Sequence, residues 1–326
     1  MSALNSSSAK LLVSKQSAID TVPTSNIARL NWIDGNVSTK QVVLDQEVFD
    51  GETYSSPRQV VGRFEGGGSL KVLADNSAVR LIGQGLLGAD DADTLSTDAP
   101  GDGDFYTIWT EVGSGANVVR RRFVNCKISE LKLTGAASSQ FIEMEFQVVC
   151  IDPQANITSM PSTYSEPGTG YTFADGSGSY EISGDVVAGI SQFELTVQRD
   201  QAPWQGDSTA YYTVVPKRGM VEISATLIAD DVSLPILNNL WYGTASPSNG
   251  QQPTAELFYD SFALTLTRGD DSLSITLPKV AYRTESALDP NLGGDAIELP
   301  IQGRAVKPDS GALATLVTET VSPPAP

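Results

Sequence analysis

Polar and apolar positions alternate most regularly near the middle of the chain. Ile142, Met144, Phe146, Val148 and Cys150 share one parity, while Glu143, Glu145 and Gln147 share the other. A period of two marks a strand with one buried face. Just upstream, Cys126 and Ile128 set a parity that then passes to Leu131 and Leu133. A β-bulge near Ser129–Glu130 would account for the change, because one extra residue flips every later side chain. With the small, polar turn Gly135–Ser139 between them, the two runs predict a long hairpin, Val124–Cys150, with one apolar and one acidic face.

Shorter patterns fill the first half. Ile27, Leu30, Trp32 and Ile33 predict a strand that ends at the turn Asp34-Gly35, followed by a strand over Thr39–Val48. Gly66-Gly67-Gly68 predicts a turn, since no Gly-Lys-Ser/Thr closes a phosphate loop. After the strand Leu70–Leu73, Asp75-Asn76-Ser77 is an N-cap cluster. Val79, Ile82, Leu86 and Leu87 follow at helical spacing and stop at Gly88. In the second half, Phe193, Leu195 and Val197 alternate with polar residues, Ala202–Gly206 predicts a turn, and Tyr211–Val215 and Gly219–Leu227 are strands. Asp230-Asp231 caps a helix striped by Leu234, Leu237, Leu240 and Trp241, with Pro235 in its first turn and Gly243 at its end. A hairpin over Asp260–Lys279, turning at Gly269-Asp270, sets Phe262, Leu264 and Leu266 against Leu273, Ile275 and Leu277. Ala296–Val306 is a closing strand.

The order strand, helix, polar loop, hairpin therefore occurs twice. Gly68–Gly88 matches Gly219–Gly243, and the hairpin Phe123–Cys150 matches Phe262–Lys279. A helix in that slot argues against a plain immunoglobulin-like sandwich. The organisation expected is a flexible N-terminal arm over 1–25, a β domain over 26–152, a linker over 153–185 rich in Pro, Ser, Gly and Thr, a second β domain over 186–306, and a tail over 307–326.

Composition narrows the chemistry. The 326 residues include no histidine, which removes Ser-His-Asp triads, Cys-His pairs and nearly all zinc sites. The carboxylates of Ala89–Asp104 lack the ordered spacing of a calcium loop and read as a solvated acidic loop. No catalytic, cofactor or metal residue is assigned, and no enzyme activity is expected. The formal net charge of −18 opposes tight binding to nucleic acid, whose phosphates call for Lys and Arg. Against that charge, the run Arg120-Arg121-Arg122 implies ion pairs within the protein or across a subunit contact. The two cysteines, Cys126 and Cys150, sit roughly diagonally on neighbouring strands. A disulfide is conceivable there, but with no signal peptide the expectation is cytoplasmic synthesis and two reduced, buried thiols. No stretch approaches a membrane span.

The strand–helix unit Gly68–Gly88, the block Arg122–Leu133 leading into Phe141–Val149, and Ile190–Val197 with Gly219–Gly243 resemble the tail tube proteins of long-tailed bacteriophages, specifically a duplicated type. The likeness covers roughly Val60 to Val306, and the acidic loop departs from it. It implies a mainly β protein of two tail-tube-like sandwich or barrel domains, each with a short flanking helix. It also implies a structural virion protein, the major tube subunit, made in the host bacterial cytoplasm. Such subunits form stacked rings, here trimers with pseudo-sixfold symmetry, whose negatively charged lumen conducts DNA without tight binding. The partners implied are further copies of the chain and the tail terminator, tape measure and distal tail proteins. Glu143, Glu145 and Gln147 on the first hairpin, and Ser272, Ser274 and Thr276 on the second, are the candidate lumen-facing residues. The competing reading is an all-β carbohydrate-binding or adhesion module, which would group exposed aromatics on one platform. Trp32, Trp109, Trp204 and Trp241 are scattered instead.

Overall fold

The structure, a computed structural model, describes residues 9–48, 56–89, 93–97, 104–114, 117–187, 189–205, 211–228, 231, 233–254, 256–283 and 298–320. The first half holds β1 (Lys10–Lys15), β2 (Ala28–Leu30), β3 (Trp32–Val48), β4 (Ser56–Leu73), α1 (Asn76–Gly83), β5 (Gly88–Ala89), β6 (Thr94–Ser96), β7 (Tyr106–Ser114), β8 (Asn117–Ala136), β9 (Glu143–Cys150) and β10 (Ala155–Asn156). The second holds β11 (Tyr180–Ile182), β12 (Asp185–Val186), β13 (Ile190–Gln205), β14 (Tyr211–Ile228), α2 (Ser233–Tyr242), β15 (Phe258–Arg268), β16 (Asp271–Arg283), β17 (Glu298–Ala305) and β18 (Thr315–Thr320). The eighteen strands are linked by hydrogen bonding into one system.

The protein is mainly β, and its two halves are one plan used twice. β3 pairs β4, β4 pairs β9, β9 pairs β8 and β8 pairs β7. β13, β14, β17, β16 and β15 pair in the same order. Flanking strands correspond too: β1 lies on β7 as β11 lies on β15, and β10 lies on β8 as β18 lies on β16. The bulges recur with them. The β3–β4 ladder slips at Trp32/Asp34 and Gln41/Val43, and the β13–β14 ladder slips at Ile190/Gln192 and Arg199/Gln201. Likewise the β7–β8 slip at Tyr106/Ile108 returns in β15–β16 at Asp260/Phe262. A bulge fixes register and twist, so matching bulges mark matching geometry.

This plan moves several boundaries. Residues 10–15 of the expected arm are a core strand, because Leu11 and Val13 enter the main apolar cluster while Leu12 enters a second one with Ile27 and Trp109. The expected linker over 153–185 contains β10, which completes the first repeat, and β11, which opens the second. Within the expected tail, β18 pairs β16 on one edge and β6 on the other, with Leu316 fully buried. The hairpin match is one strand out of phase: the partner of β8–β9 is β16–β17, whereas β15–β16 matches β7–β8. In the strand–helix unit, the bulges set Phe64, not Gly68, opposite Gly219.

The expected turns at Asp34-Gly35 and Gly66–Gly68 lie inside strands, as do residues 202–205 of the expected turn Ala202–Gly206, whose Gly206 lies outside the described residues. Gly35 is needed for its φ of 92° at the bulge. Gly67 is needed for close approach, since a Cβ there would meet the Val148 carbonyl oxygen at 2.7 Å. The bulge expected at Ser129 is present, with the β8–β9 register shifting between Ile128 and Glu130. Beyond Ser129, however, the cysteines are not diagonal. Cys126 and Cys150 face each other directly, fully buried, and are joined as a disulfide, against the expectation of free thiols.

The halves meet where β8 takes a second partner. Glu130–Ala136 pairs Gln198–Gln192 of β13, so the first repeat's sheet runs directly into the second's. Leu131, Leu133, Leu195 and Val197 are buried in an apolar cluster that spans both repeats. Gly135 sits under the Phe193 ring, which also packs against Phe173 and Tyr180.

A Cβ at Gly135 would lie 2.4 Å from Phe193 Cε1, so Gly135→Ala is expected to lower stability by about 1–3 kcal/mol, read as an earlier denaturation midpoint. Denatured, unreduced protein should show no thiol to a thiol-specific reagent, whereas full labelling would mean the pair is open. Asp75 caps α1 by accepting the Ala78 N–H at 2.9 Å, so Asp75→Ala should cost about 1 kcal/mol. Burial pushes the Asp75 carboxyl up, against bonds from Ala78 and Ser77 that pull it down. A raised folded value means the contribution of Asp75 to stability declines as pH rises above 3.8 toward that value. Asp75→Asn keeps the cap without the buried charge and should gain on the wild type over that rise in thermal melts.

Candidate functional site: one polar face across two repeats

Alternation in β4, β9, β8, β13, β14, β17 and β16 puts one parity into the core and the other outward on a shared face. Because the β8–β13 joint keeps register, side chains line up in rows that cross from one repeat to the other. One row runs Lys71, Glu145, Lys132, Thr196, Glu222, Arg304. Its neighbour runs Glu143, Thr134, Glu194, Ser224, Gln302, Arg283. A third holds Ser69, Gln147, Glu130 and Gln198.

Opposite charges interlock across these rows. Lys71 Nζ lies 2.5 Å from Glu143, and Lys132 Nζ lies 2.7 Å from Glu194, the second pair bridging the repeats. The Ser69 hydroxyl donates to Glu145 at 2.5 Å, and Gln147 donates to Glu130 at 3.2 Å. Partial burial and then the nearby Glu145 push the Glu130 carboxyl up. The face is thus densely polar and of mixed sign, so the charge of −18 is not concentrated on it.

Of the sequence-derived candidates, Glu143, Glu145 and Gln147 lie on this face. Ser272, Ser274 and Thr276 do not join them. They occupy the part of β16 that pairs β15 and β18, outside the rows that cross the joint. Their selection followed from the out-of-phase hairpin match: the second-repeat counterpart of β9 is β17, which supplies Gln302 and Arg304. Sequence reading missed Lys71, Lys132, Glu194 and Glu222, although the alternation in β13 and β14 signalled the last two.

Other candidates resolve separately. Arg120 pairs Glu111 at 2.5 Å and donates to the Thr158 carbonyl. Arg121 and Arg122 each bury an Nε without a partner among the described residues. In the acidic loop, Asp93 meets Arg80 and Asp104 meets Lys15, while Asp90, Asp91, Asp98 and Asp102 lie outside the described residues. Among the described residues no group of three potential ligands could hold a metal ion, and no helix is long and apolar enough to cross a membrane. Trp109 is buried, while Trp32 donates to the Asp34 carbonyl at 2.8 Å; the Trp204 side chain lies outside the description.

No curated protein matches the chain. The model of the family described as phage tail tube protein matches residues 6–305, which take in the first repeat, the joint and the second repeat as far as β17. Doubled β units with a flanking helix, joined edge to edge behind one polar face, are therefore the form taken here by a member of the phage tail tube protein family, to which this chain belongs.

Proposed function

We propose that the chain is the major subunit of a phage tail tube and builds it from rings of three copies, each copy supplying two of six similar units. The observation that carries this reading is the β8–β13 joint. It shows how the exit edge of one repeat receives the entry edge of the next. The entry edge of the first repeat, the outer side of β3, pairs only β4 on its other side and has no second partner among the described residues. An open edge of that length invites another strand. Repeating the joint between copies would close the edges into a ring, which is the closed symmetry that identical heterologous contacts favour. Stacked rings would then form the tube.

In this arrangement the shared polar face lines the lumen. Its weak hold on DNA comes from pairing more than from bulk negative charge. Lys71 and Lys132 are already engaged by Glu143 and Glu194, so neither lysine can grip a phosphate without breaking an ion pair, and of the arginines in these rows Arg283 donates to Gln302. DNA, repelled by carboxylates and offered no free lysine in these rows, would slide. The ends of the tube would meet the terminator and distal tail proteins, with the tape measure protein inside during assembly.

Electron microscopy of the purified chain should show rings or tubes with three-fold symmetry, and a persistent monomer at high concentration would refute the reading. Ile33, exposed on the β3 edge at its bulge, offers a second check. Ile33→Lys should block ring closure and leave a folded monomer in sedimentation. Glu143→Gln with Glu194→Gln frees both lysines, so variant tubes should retain duplex DNA in co-sedimentation at low salt and release it as salt rises. Unchanged retention would place this face away from the lumen.

A further inference from the structure

The two helices align without a gap from Leu73–Gly88 to Ile228–Gly243, yet they differ in what covers them. α1 packs against β16 and β18 of the other repeat, and Asn76 crosses the joint to donate to the Glu319 carbonyl at 2.8 Å. Val79 of α1 and the following Leu86 and Leu87 are buried. At the matching places in the second repeat, Leu234 is 47% exposed, and Trp241 and Tyr242 are only half-buried.

The surface that covers α1 also has a bare counterpart. Matching bulges pair Leu273, Ile275 and Leu277 of β16 with Val119, Arg121 and Phe123 of β8. Leu273 and Ile275 are buried at 0% and 1%, while Val119 is 38% exposed and Arg121 buries an Nε that has no partner among the described residues. Among the described residues, one apolar helix face and one strand face thus lack the cover that their counterparts have inside the chain.

We infer that α2 of one copy docks on the Val119–Arg121 face of β8 and on β10 in the next copy, as α1 docks on β16 and β18 within the chain. Leu234 seats against Val119. Asp231 takes the joint-crossing place of Asn76 and brings a carboxylate to the β8 strand near Val118, on the strand that carries Arg121, whose buried Nε has no hydrogen-bond partner among the described residues. The contact deepens the ring reading and rests on it: the edge pairing closes the sheet, and the helix locks the layer behind it.

The test uses the full chain, four single variants and one double variant. Leu234→Glu and Val119→Glu each place a charge in the contact but on a residue exposed in the monomer. Both should melt like the wild-type monomer and need at least tenfold more protein for half-maximal ring formation in sedimentation. Asp231→Arg and Arg121→Asp should each weaken assembly, and the two together should recover most of it, a coupling that a merely structural role would not produce. Rings forming equally well in Leu234→Glu and Val119→Glu would overturn the docking while leaving the ring intact, as would additive loss in the charge-reversed pair. A wild-type chain that never forms rings would overturn both.

Discussion

A β-strand carries a row of backbone donors and acceptors on each side, and both rows require partners. That requirement shapes this molecule. β8 satisfies it by taking β9 on one side and β13 on the other, so that two repeats share one sheet. Much else follows from that shared edge: the apolar cluster runs through both halves, Gly135 must stay small beneath Phe193, and polar side chains fall into rows that ignore the boundary between repeats. The same backbone logic leaves the outer side of β3 without a strand partner among the described residues, so the physics that holds the chain together also points beyond it.

Much of the fold was legible where one face of a strand is buried and the other wet. β9 announced itself by strict alternation, and the bulge at Ser129 could be inferred from a change of parity. Both helices were legible from their apolar stripes, and Asp75 caps α1 as expected, but α1 ends at Gly83, short of the expected stop at Gly88; α2 begins at Ser233 and ends before Gly243, while Asp230 of its expected cap lies outside the described residues. Legibility failed where burial was two-sided or contacts were remote. Leu11-Leu12-Val13 does not alternate because each face of β1 enters a different apolar cluster, so it looked like an arm. Gly66–Gly68 looked like a turn because its cause, crowding by β9 and β3, is distant in sequence. The phase error in the repeat had a similar origin. β15–β16 alternates more cleanly than β16–β17, so it drew the match, and with it Ser272, Ser274 and Thr276. The first half of the candidate face was readable from Glu143, Glu145 and Gln147. The second required knowing that β17 is the true counterpart of β9.

Charge tells a related story. Composition records only an excess of carboxylates, which would suit an anionic surface. On the shared face, however, Lys71 and Lys132 sit among acids close enough to hold them, and one of the two pairs crosses between repeats. A net charge summed over the chain says little about what a single face presents. Position along a strand, and the partner one strand away, decide it.

The disulfide occupies a seat that the second repeat fills differently. Opposite partners in the ladder, Cys126 and Cys150 correspond to Val280 and Ala305, which are also buried and also face each other. Sulfur and hydrocarbon serve the same place in the sheet, so closure of the ladder there does not depend on a covalent bond. A chain carrying valine and alanine at both seats would be free of native thiols, and single cysteines added elsewhere could then carry fluorophores for following one subunit at a time.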